Sequence, residues 1–259
     1  MSTAEVVVHS SAELLAKAVA ARLVTRMVDV QAASGSVSVV LTGGRVGTRV
    51  LHELRVAPAR DAVDWRRVNV WWGDERFVLA DDPRRNERQA REALLDHVPV
   101  DPVRIHPMPA AFERFGNNAA AAAAAYAAEL AAAARPEDHG DVPRFDVLLL
   151  GIGEDGHVAS IFPESPAAYD DRAVVAVHGA PKPPPDRMTL TFRAIGTATE
   201  VWVVAAGADK AAAVALALGG SGRVQVPAAG ARGRLRTRWL LDRAAASRLP
   251  TSVSRLPTA

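Results

Sequence analysis

The sequence predicts an α/β fold in which a mostly parallel sheet carries helices on both faces. Short apolar runs of strand length recur along the chain, and segments with helical spacing of apolar residues separate them. Residues 147–150 are apolar without interruption, which is typical of a strand buried on both faces of a parallel sheet. Several of these runs end abruptly in glycines and charged residues, as strands do where they leave the core beside a ligand site.

Composition places the chain among ordinary globular proteins. Hydrophobic residues make up 49% of its 259 residues and charged residues 23%, and this length suffices for a substantial core. No linker divides the sequence, so we expect one domain over residues 1–259, with roughly the last dozen residues as a flexible tail. The absence of cysteines, of a membrane-length apolar run and of a secretory signal pattern leads us to expect a soluble, cytoplasmic protein.

The first half of the chain predicts three strands, at residues 6–9, Val37–Leu41 and Val68–Trp72. Ser10 and Glu13 form a capping-box pattern, which predicts a helix that runs to about Met27. Further helices are predicted around Val50 to Leu54 and up to residues 94–95. The alanine-rich residues 119–134 are predicted to be helical because alanine is the best helix former.

The second half predicts strands at residues 147–150, Val174–Val177, 188–192 and 201–205. Apolar and polar residues alternate over 188–192, which predicts a half-exposed strand, and a proline-rich surface loop at 181–185 precedes it. A helix through Leu218 follows residue 210. Trp239 to Asp242 are predicted to begin a terminal helix.

Four of the predicted strands end in polar clusters, at residues 42–45, 74–76, 155–157 and 209–210. Because the carboxyl ends of parallel strands share one edge of a sheet, we expect these clusters to converge on one crevice. A glycine turn before a helix can hold a phosphate through its amides and the positive end of the helix. The other clusters supply cations and an acid–histidine pair suited to proton transfer.

Three other kinds of site are weaker interpretations of the same residues. Residues 151–156 match the dinucleotide pattern G-x-G-x-x-G, but two carboxylates occupy the turn and the next strand does not end in an acid. Asp155 and His157, with Asp74, are candidate metal ligands, but their spacing is not standard and cations lie nearby. Ser160 lacks the G-x-S-x-G context of a hydrolase nucleophile.

Arginines are concentrated toward the end of the chain, where a nucleic-acid partner is conceivable. No aromatic residues alternate with them, and the net charge of the whole chain is only +2, so we interpret them as a solvated surface. They are Arg223, Arg232, Arg234, Arg236, Arg238, Arg243, Arg248 and Arg255.

Five segments together resemble one known family. They read GIGEDGHVASIFP at 151–163, LTGG at 41–44, WGDER at 72–76 with Asn86 downstream, RMTLT at 187–191 and GADK at 207–210. In order and spacing they are similar to the signature of 6-phosphogluconolactonases from about residue 10 to 247. The segments at residues 42–47 and 163–165, and the tail around Pro227, differ from the usual family pattern.

The resemblance implies a modified Rossmann-like fold, shared with glucosamine-6-phosphate deaminases and ribose-5-phosphate isomerases. It implies a carboxylic ester hydrolase that converts 6-phospho-D-glucono-1,5-lactone to 6-phospho-D-gluconate in the oxidative pentose phosphate pathway, with no cofactor and no metal. We further expect a monomer or weak homodimer, with no nucleic-acid or membrane partner.

Roles for individual residues follow from this chemistry and the resemblance. We expect His157 to activate water, Asp155 to orient its imidazole and Arg76 to stabilise the developing oxyanion. The residues expected to hold the 6-phosphate, the last two as assisting cations, are Thr42, Gly43, Gly44, Lys210, Arg45 and Arg187.

Two alternatives remain open at this stage. A glucosamine-6-phosphate deaminase has a similar loop, but its catalytic glutamate has no clear equivalent beyond nearby Glu164, and Arg76 replaces its tyrosine. A non-catalytic sugar-phosphate sensor on this fold would not need Asp155 or His157. The lack of a clear equivalent of that glutamate and the arginine at position 76 favour the lactonase over the deaminase. The presence of Asp155 and His157 favours it over the sensor.

Overall fold

The structure is a computed structural model that describes residues 4–250, 253 and 255–256. Within this part of the chain lie six α-helices and ten strands. The strands are β1 Ala4–His9, β2 Val37–Leu41, β3 Val68–Trp72, β4 Asp74–Arg76, β5 Val147–Gly151, β6 Val174–Val177, β7 Arg187–Leu190, β8 Glu200–Ala205, β9 Arg236–Asp242 and β10 Arg255–Leu256. The helices are α1 Ala12–Ser34, α2 Gly44–Val56, α3 Asn86–Ala93, α4 Ala119–Ala133, α5 Phe192–Ile195 and α6 Ala211–Leu218.

Seven strands form a parallel sheet in the order β10-β1-β9-β8-β5-β2-β3. From β2 the chain proceeds outward to β3, whereas from β5 it proceeds in the opposite direction to β8 and β9. The direction of winding therefore reverses between β2 and β5. In open α/β sheets, ligands bind outside the carboxyl ends of the strands at such a reversal.

The sheet is covered on both faces, which confirms the predicted α/β fold. Alternate residues of each central strand enter two separate hydrophobic cores. Leu148 of β5 belongs to the core that contains α4, and Leu149 belongs to the core that contains α1, α2 and α3. Trp71 and Trp72 of β3 divide in the same way. The uninterrupted apolar runs thus reflect burial on two sides.

A second, antiparallel sheet contains β4, β7 and β6 in that order. The prediction of a half-exposed strand at residues 188–192 was wrong, because all four residues of β7 are buried. β7 is the middle strand of this sheet, and Met188 and Leu190 reach the core. Thr189 is buried as well, where its hydroxyl accepts a hydrogen bond from the backbone of Ser160. Polar residues at alternate positions are therefore satisfied inside the protein.

Two predicted elements differ from the structure. Trp239 to Asp242 do not begin a helix: they end β9, which pairs with both β1 and β8. Helix α1 is capped by Ser11, whose side chain accepts from the amide of Leu14, and it extends past Met27 to Ser34.

Much of the expected tail lies outside the described residues, although residues 255–256 pair with β1 as β10. Across the described residues, no helix combines the length and the apolar character needed to cross a membrane.

Candidate active site

A cavity of about 590 Å³ opens at the carboxyl ends of the parallel strands. The loops that follow β2, β5, β8 and β9 meet there, together with β4 and the start of α3. Most residues that the sequence predicted to act on a substrate line it: Thr42, Gly43, Gly44, Arg45, Arg76, His157, Arg187 and Lys210. The predicted convergence of the polar clusters on one crevice is therefore what the fold produces.

Asp155 and His157 form a hydrogen-bonded pair on the turn that follows β5. Oδ1 of Asp155 lies 2.5 Å from Nδ1 of His157. The turn is closed by the amide of Gly153, which donates to the carbonyl of His157 at 2.9 Å. A Cβ on Gly153 would lie 2.0 Å from His157 Nδ1, so only glycine leaves room for the pair.

The charge state of Asp155 fixes the orientation of the imidazole. Partial burial acts to raise the pKa of Asp155, but the hydrogen bond and charge of His157 prevail and lower it to about 2. The carboxylate is therefore ionised at neutral pH and accepts the Nδ1 proton. The lone pair of His157 Nε2 is left available to accept a proton in the cavity.

The glycine turn of Thr42, Gly43 and Gly44, here called the cradle, joins β2 to the start of α2. Gly43 precedes the helix, and no side chain caps its first amides. Amides of this kind, together with the helix dipole, attract a phosphate. The hydroxyl of Thr42 accepts from the amide of Gly151 at 3.3 Å, which leaves its own proton for a ligand and ties the cradle to β5.

Four cationic side chains predicted from the sequence line the same cavity, and they differ in exposure and in partners. Arg45 is 90% exposed and pairs with Asp209 at 3.4 Å. Lys210 is mostly buried and lies 3.3 Å from the same carboxylate. Arg187 is buried and donates to backbone carbonyls of the proline-rich loop. Arg76 donates to the carbonyl of Arg84 and to the side chain of Asn86.

Comparisons with known proteins agree with this arrangement of residues around the cavity. A family model described as glucosamine-6-phosphate isomerases/6-phosphogluconolactonase matches residues 10–239. The chain belongs to this family. A 6-phosphogluconolactonase of Streptomyces coelicolor is 60% identical over 252 residues, which are 97% of each chain.

Solved structures of the family share the fold. The 6-phosphogluconolactonase of Trypanosoma brucei superposes with a TM-score of 0.81 at 28% identity, covering 96% of this chain and 100% of that one. A monomeric glucosamine-6-phosphate deaminase has a TM-score of 0.74 at 19% identity, covering 94% and 99%. This second likeness concerns the fold alone.

Asn86 is a site residue that the sequence pointed to without giving it a role. Its Nδ2 donates to the carbonyl of Asp74 at 2.8 Å, and its Oδ1 accepts from Arg76. A Cβ on Gly43 would lie 1.7 Å from the same Oδ1, so Asn86 packs directly against the cradle. One buried amide therefore joins α3, β4 and the glycine turn, and it holds Arg76 beside Gly43.

Glu75 supports this arrangement from inside the protein. It is fully buried, and its carboxylate accepts from the amides of Arg76, Asn86 and Glu87 at 2.7–2.9 Å. Burial raises the pKa of Glu75 to about 7, although Arg85 and the three amides oppose the shift. Sequence reasoning treated Glu75 as part of a polar cluster, and nothing in the pattern signalled that it points away from the cavity.

Asp242 plays a similar part on the other side. This buried residue ends β9, and its carboxylate accepts from the amides of Gly207 and Ala245. Because Gly207 begins the turn that carries Asp209 and Lys210, Asp242 fixes the position of both charges. The mistaken helix over residues 239–242 concealed this role.

The structure also bears on the three alternative sites, which are a serine nucleophile, a dinucleotide site and a metal site. Ser160 is fully buried and donates its hydroxyl to Asp74 Oδ2 at 2.7 Å, so it is not placed as a nucleophile. Turns, rather than a helix, follow Gly156, so the G-x-G-x-x-G pattern lacks the helix start that binds a pyrophosphate. Within the described residues, no three His, Cys, Asp or Glu side chains gather as they would around a metal ion.

Proposed function

We propose that the cavity hydrolyses 6-phospho-D-glucono-1,5-lactone to 6-phospho-D-gluconate, a step of the oxidative pentose phosphate pathway, by means of water that His157 activates. The observation that carries the proposal is the pair of Asp155 and His157, whose imidazole lines the same cavity as the uncapped start of α2 and several cations. Hydrolysis of this lactone is the activity that the name of the 60% identical relative describes.

The reaction needs one group that takes a proton and later returns it. Nε2 of His157 accepts a proton from water as the water oxygen attacks C1 of the lactone. The bond between C1 and the ring oxygen then breaks, and the imidazolium returns the proton to that oxygen, which becomes the C5 hydroxyl. Asp155 holds the ring in place and stabilises its charged form. The new carboxylic acid ionises to the carboxylate of 6-phosphogluconate.

The cradle supplies position rather than chemistry. Thr42, Gly43 and Gly44 hold the 6-phosphate with Lys210, and Arg45 assists. The sequence suggested that Arg187 assists as well, but its guanidinium donates to the carbonyls of residues 182–184, which favours a role in holding that loop. Fixing the phosphate limits the motion of C1 relative to His157, which lowers the entropic part of the barrier. The sequence suggested that Arg76 stabilises the oxyanion. Its contact with Asn86 beside Gly43 favours a role at the phosphate instead.

The test compares two substrates in parallel. We expect hydrolysis of freshly prepared 6-phosphogluconolactone well above its spontaneous rate, and no ammonia from glucosamine 6-phosphate. Ammonia release would instead indicate a deaminase, and tight sugar-phosphate binding with neither reaction would indicate a sensor. The same protein, run through a sizing column, checks the expected monomer or weak homodimer.

A further inference from the structure

The cations that line the cavity divide into those with partners and those without. Of the cations that line the cavity in the described part of the chain, four already make ion pairs or hydrogen bonds: Arg45, Arg76, Arg187 and Lys210. Within residues 4–250, 253 and 255–256, the head groups of Arg49 and Lys182 make neither. Arg49 lies one turn beyond Arg45 on α2, on the cradle side. Lys182 is therefore the cation whose place in the cavity is explained neither by a partner nor by the cradle.

Lys182 lies on a loop with a well-defined backbone. Residues 178–186 join β6 to β7, and the amide of Ala180 donates to the carbonyl of Pro185 at 2.9 Å, which closes the loop. The guanidinium of Arg187 donates to the backbone carbonyls of residues 182, 183 and 184 and so ties the loop to the start of β7. Flanking prolines restrict the backbone further. The backbone is fixed, while the long stem lets the ammonium reach a ligand.

This loop borders the reacting end of the cavity. Lys182 lines the cavity together with His157 and Ala159. The guanidinium of Arg187, which holds the loop, lies 5.6 Å from the centre of the Phe162 ring. That ring in turn lies 4.6 Å from the ring of His157. The positive charge of Lys182 also contributes to the low pKa of Asp155, in agreement with this proximity.

Hydrolysis creates negative charge at the reacting end that the cradle does not neutralise. The tetrahedral intermediate carries an oxyanion on C1, and the product carries a carboxylate on the same carbon. We propose that Lys182 binds the C1 oxygen, stabilising the oxyanion and then contacting the carboxylate of the product. The proposal rests on the proposed function and adds to it a residue that touches the reacting atoms.

The deciding experiment uses two ligands that differ at C1. The first is 6-phosphogluconate, which carries a carboxylate, and the second is glucitol 6-phosphate, which has a neutral hydroxymethyl group there. Calorimetric titration of Lys182→Ala should show about tenfold or greater loss of affinity for 6-phosphogluconate, the usual effect of losing a charge-assisted hydrogen bond. Affinity for glucitol 6-phosphate should stay within about twofold of the wild type.

Two other variants calibrate the result. Lys210→Ala should weaken both ligands alike, because we assign it to the phosphate that they share. Lys17→Ala removes an exposed lysine of α1 that pairs with Glu13, and it should change neither. The kcat of Lys182→Ala on the lactone should fall as well, while its thermal unfolding matches the wild type because the side chain is only half-buried and lies on a surface loop.

The outcomes separate the two proposals. Equal losses for both ligands in Lys182→Ala would place the lysine at the phosphate, and unchanged affinities would remove it from the site; either result overturns the inference. A wild-type protein that does not hydrolyse the lactone would instead overturn the proposed function, whatever Lys182 does.

Discussion

At the residue level, the contact between Asp155 Oδ1 and His157 Nδ1 determines which ring nitrogen can act as a base. An ionised acid beside Nδ1 keeps the proton there, so the free lone pair lies on Nε2. Because the pKa of Asp155 is lowered to about 2, its carboxylate stays ionised over the whole physiological range. Because the lactone is an activated ester, the proposed mechanism needs no base other than His157.

His157→Ala tests this assignment directly. We expect kcat to fall by about 100-fold or more, the usual share of general acid–base catalysis, because the variant lacks the imidazole that takes the proton of water. Binding of 6-phosphogluconate should persist, since the phosphate contacts lie elsewhere in the cavity. The measurement is lactone consumption corrected for the spontaneous reaction. Turnover near the wild-type rate would end the assignment of His157 as the base.

Lys210→Ala tests the phosphate site. Its ammonium is mostly buried beside Asp209, so its removal takes a positive charge from the cradle end of the cavity. We expect KM to rise more than kcat falls, because the phosphate is bound equally in the ground and transition states. An unchanged KM would move the phosphate to another part of the cavity.

Residue identity alone predicted the groups that face the ligand better than the groups behind them. Glycines, a histidine and cations at strand ends are visible in the sequence, and the cavity gathers them. Glu75 and Asp242 act through contacts with backbone amides of other elements, and Asn86 acts through the carbonyl of Asp74 and the guanidinium of Arg76. No local pattern shows such partners, since they depend on how the elements pack.

At the level of elements, Glu75 joins β4 to the first turn of α3. Its carboxylate accepts the amides of Asn86 and Glu87 at the start of the helix, where a negative charge is favourable. Burial opposes that charge and raises the pKa of Glu75 to about 7. The group therefore titrates in the physiological range, and the stability of this junction depends on pH.

Glu75→Gln isolates that dependence. The pKa in the folded state lies above the ordinary value of 4.5, so between pH 4.5 and 7 the folded state holds a proton that the unfolded state releases. Stability due to this group therefore falls as pH rises through that window, by on the order of 3 kcal/mol.

Urea unfolding of the two proteins at pH 5 and pH 8.5 measures the effect. The wild type should lose stability relative to Glu75→Gln on going to the higher pH. The exposed Glu13→Gln should show no such trend. A difference between wild type and Glu75→Gln that does not change with pH would contradict the raised pKa.

The errors in element prediction have a common cause. The short apolar run ending at Asp242 is compatible with a strand or a helix, and only its pairing with β1 and β8 makes it β9. Alternation over β7 predicted one exposed face, but β4, β6 and the core cover this strand completely. In both cases tertiary neighbours, distant in sequence, decided the outcome.

At the level of the whole molecule, the two ends of the parallel sheet have different tasks. The carboxyl ends carry the cavity, whereas an ion-pair cluster lies at the amino ends of β1, β8 and β9. Arg238 donates to Glu200 at 2.6 Å and to Glu5 at 3.1 Å, and Arg236 pairs with Glu5 at 2.9 Å. Part of the arginine-rich segment thus joins β9 to β1 and β8, which are distant in sequence, so no local sequence pattern contains this link.

Glu200→Gln should therefore affect stability and leave catalysis unchanged. Glu200 is buried and also accepts from Trp202 Nε1 at 2.9 Å, so the neutral amide leaves Arg238 without its closest charge. Removing one partner of a buried ion pair costs on the order of 3 kcal/mol in the free energy of unfolding, measured in urea. Because the cluster lies at the end of the sheet opposite the cavity, kcat and KM of the folded variant should equal those of the wild type. A fall in kcat at full folding would show that the two ends of the sheet are coupled.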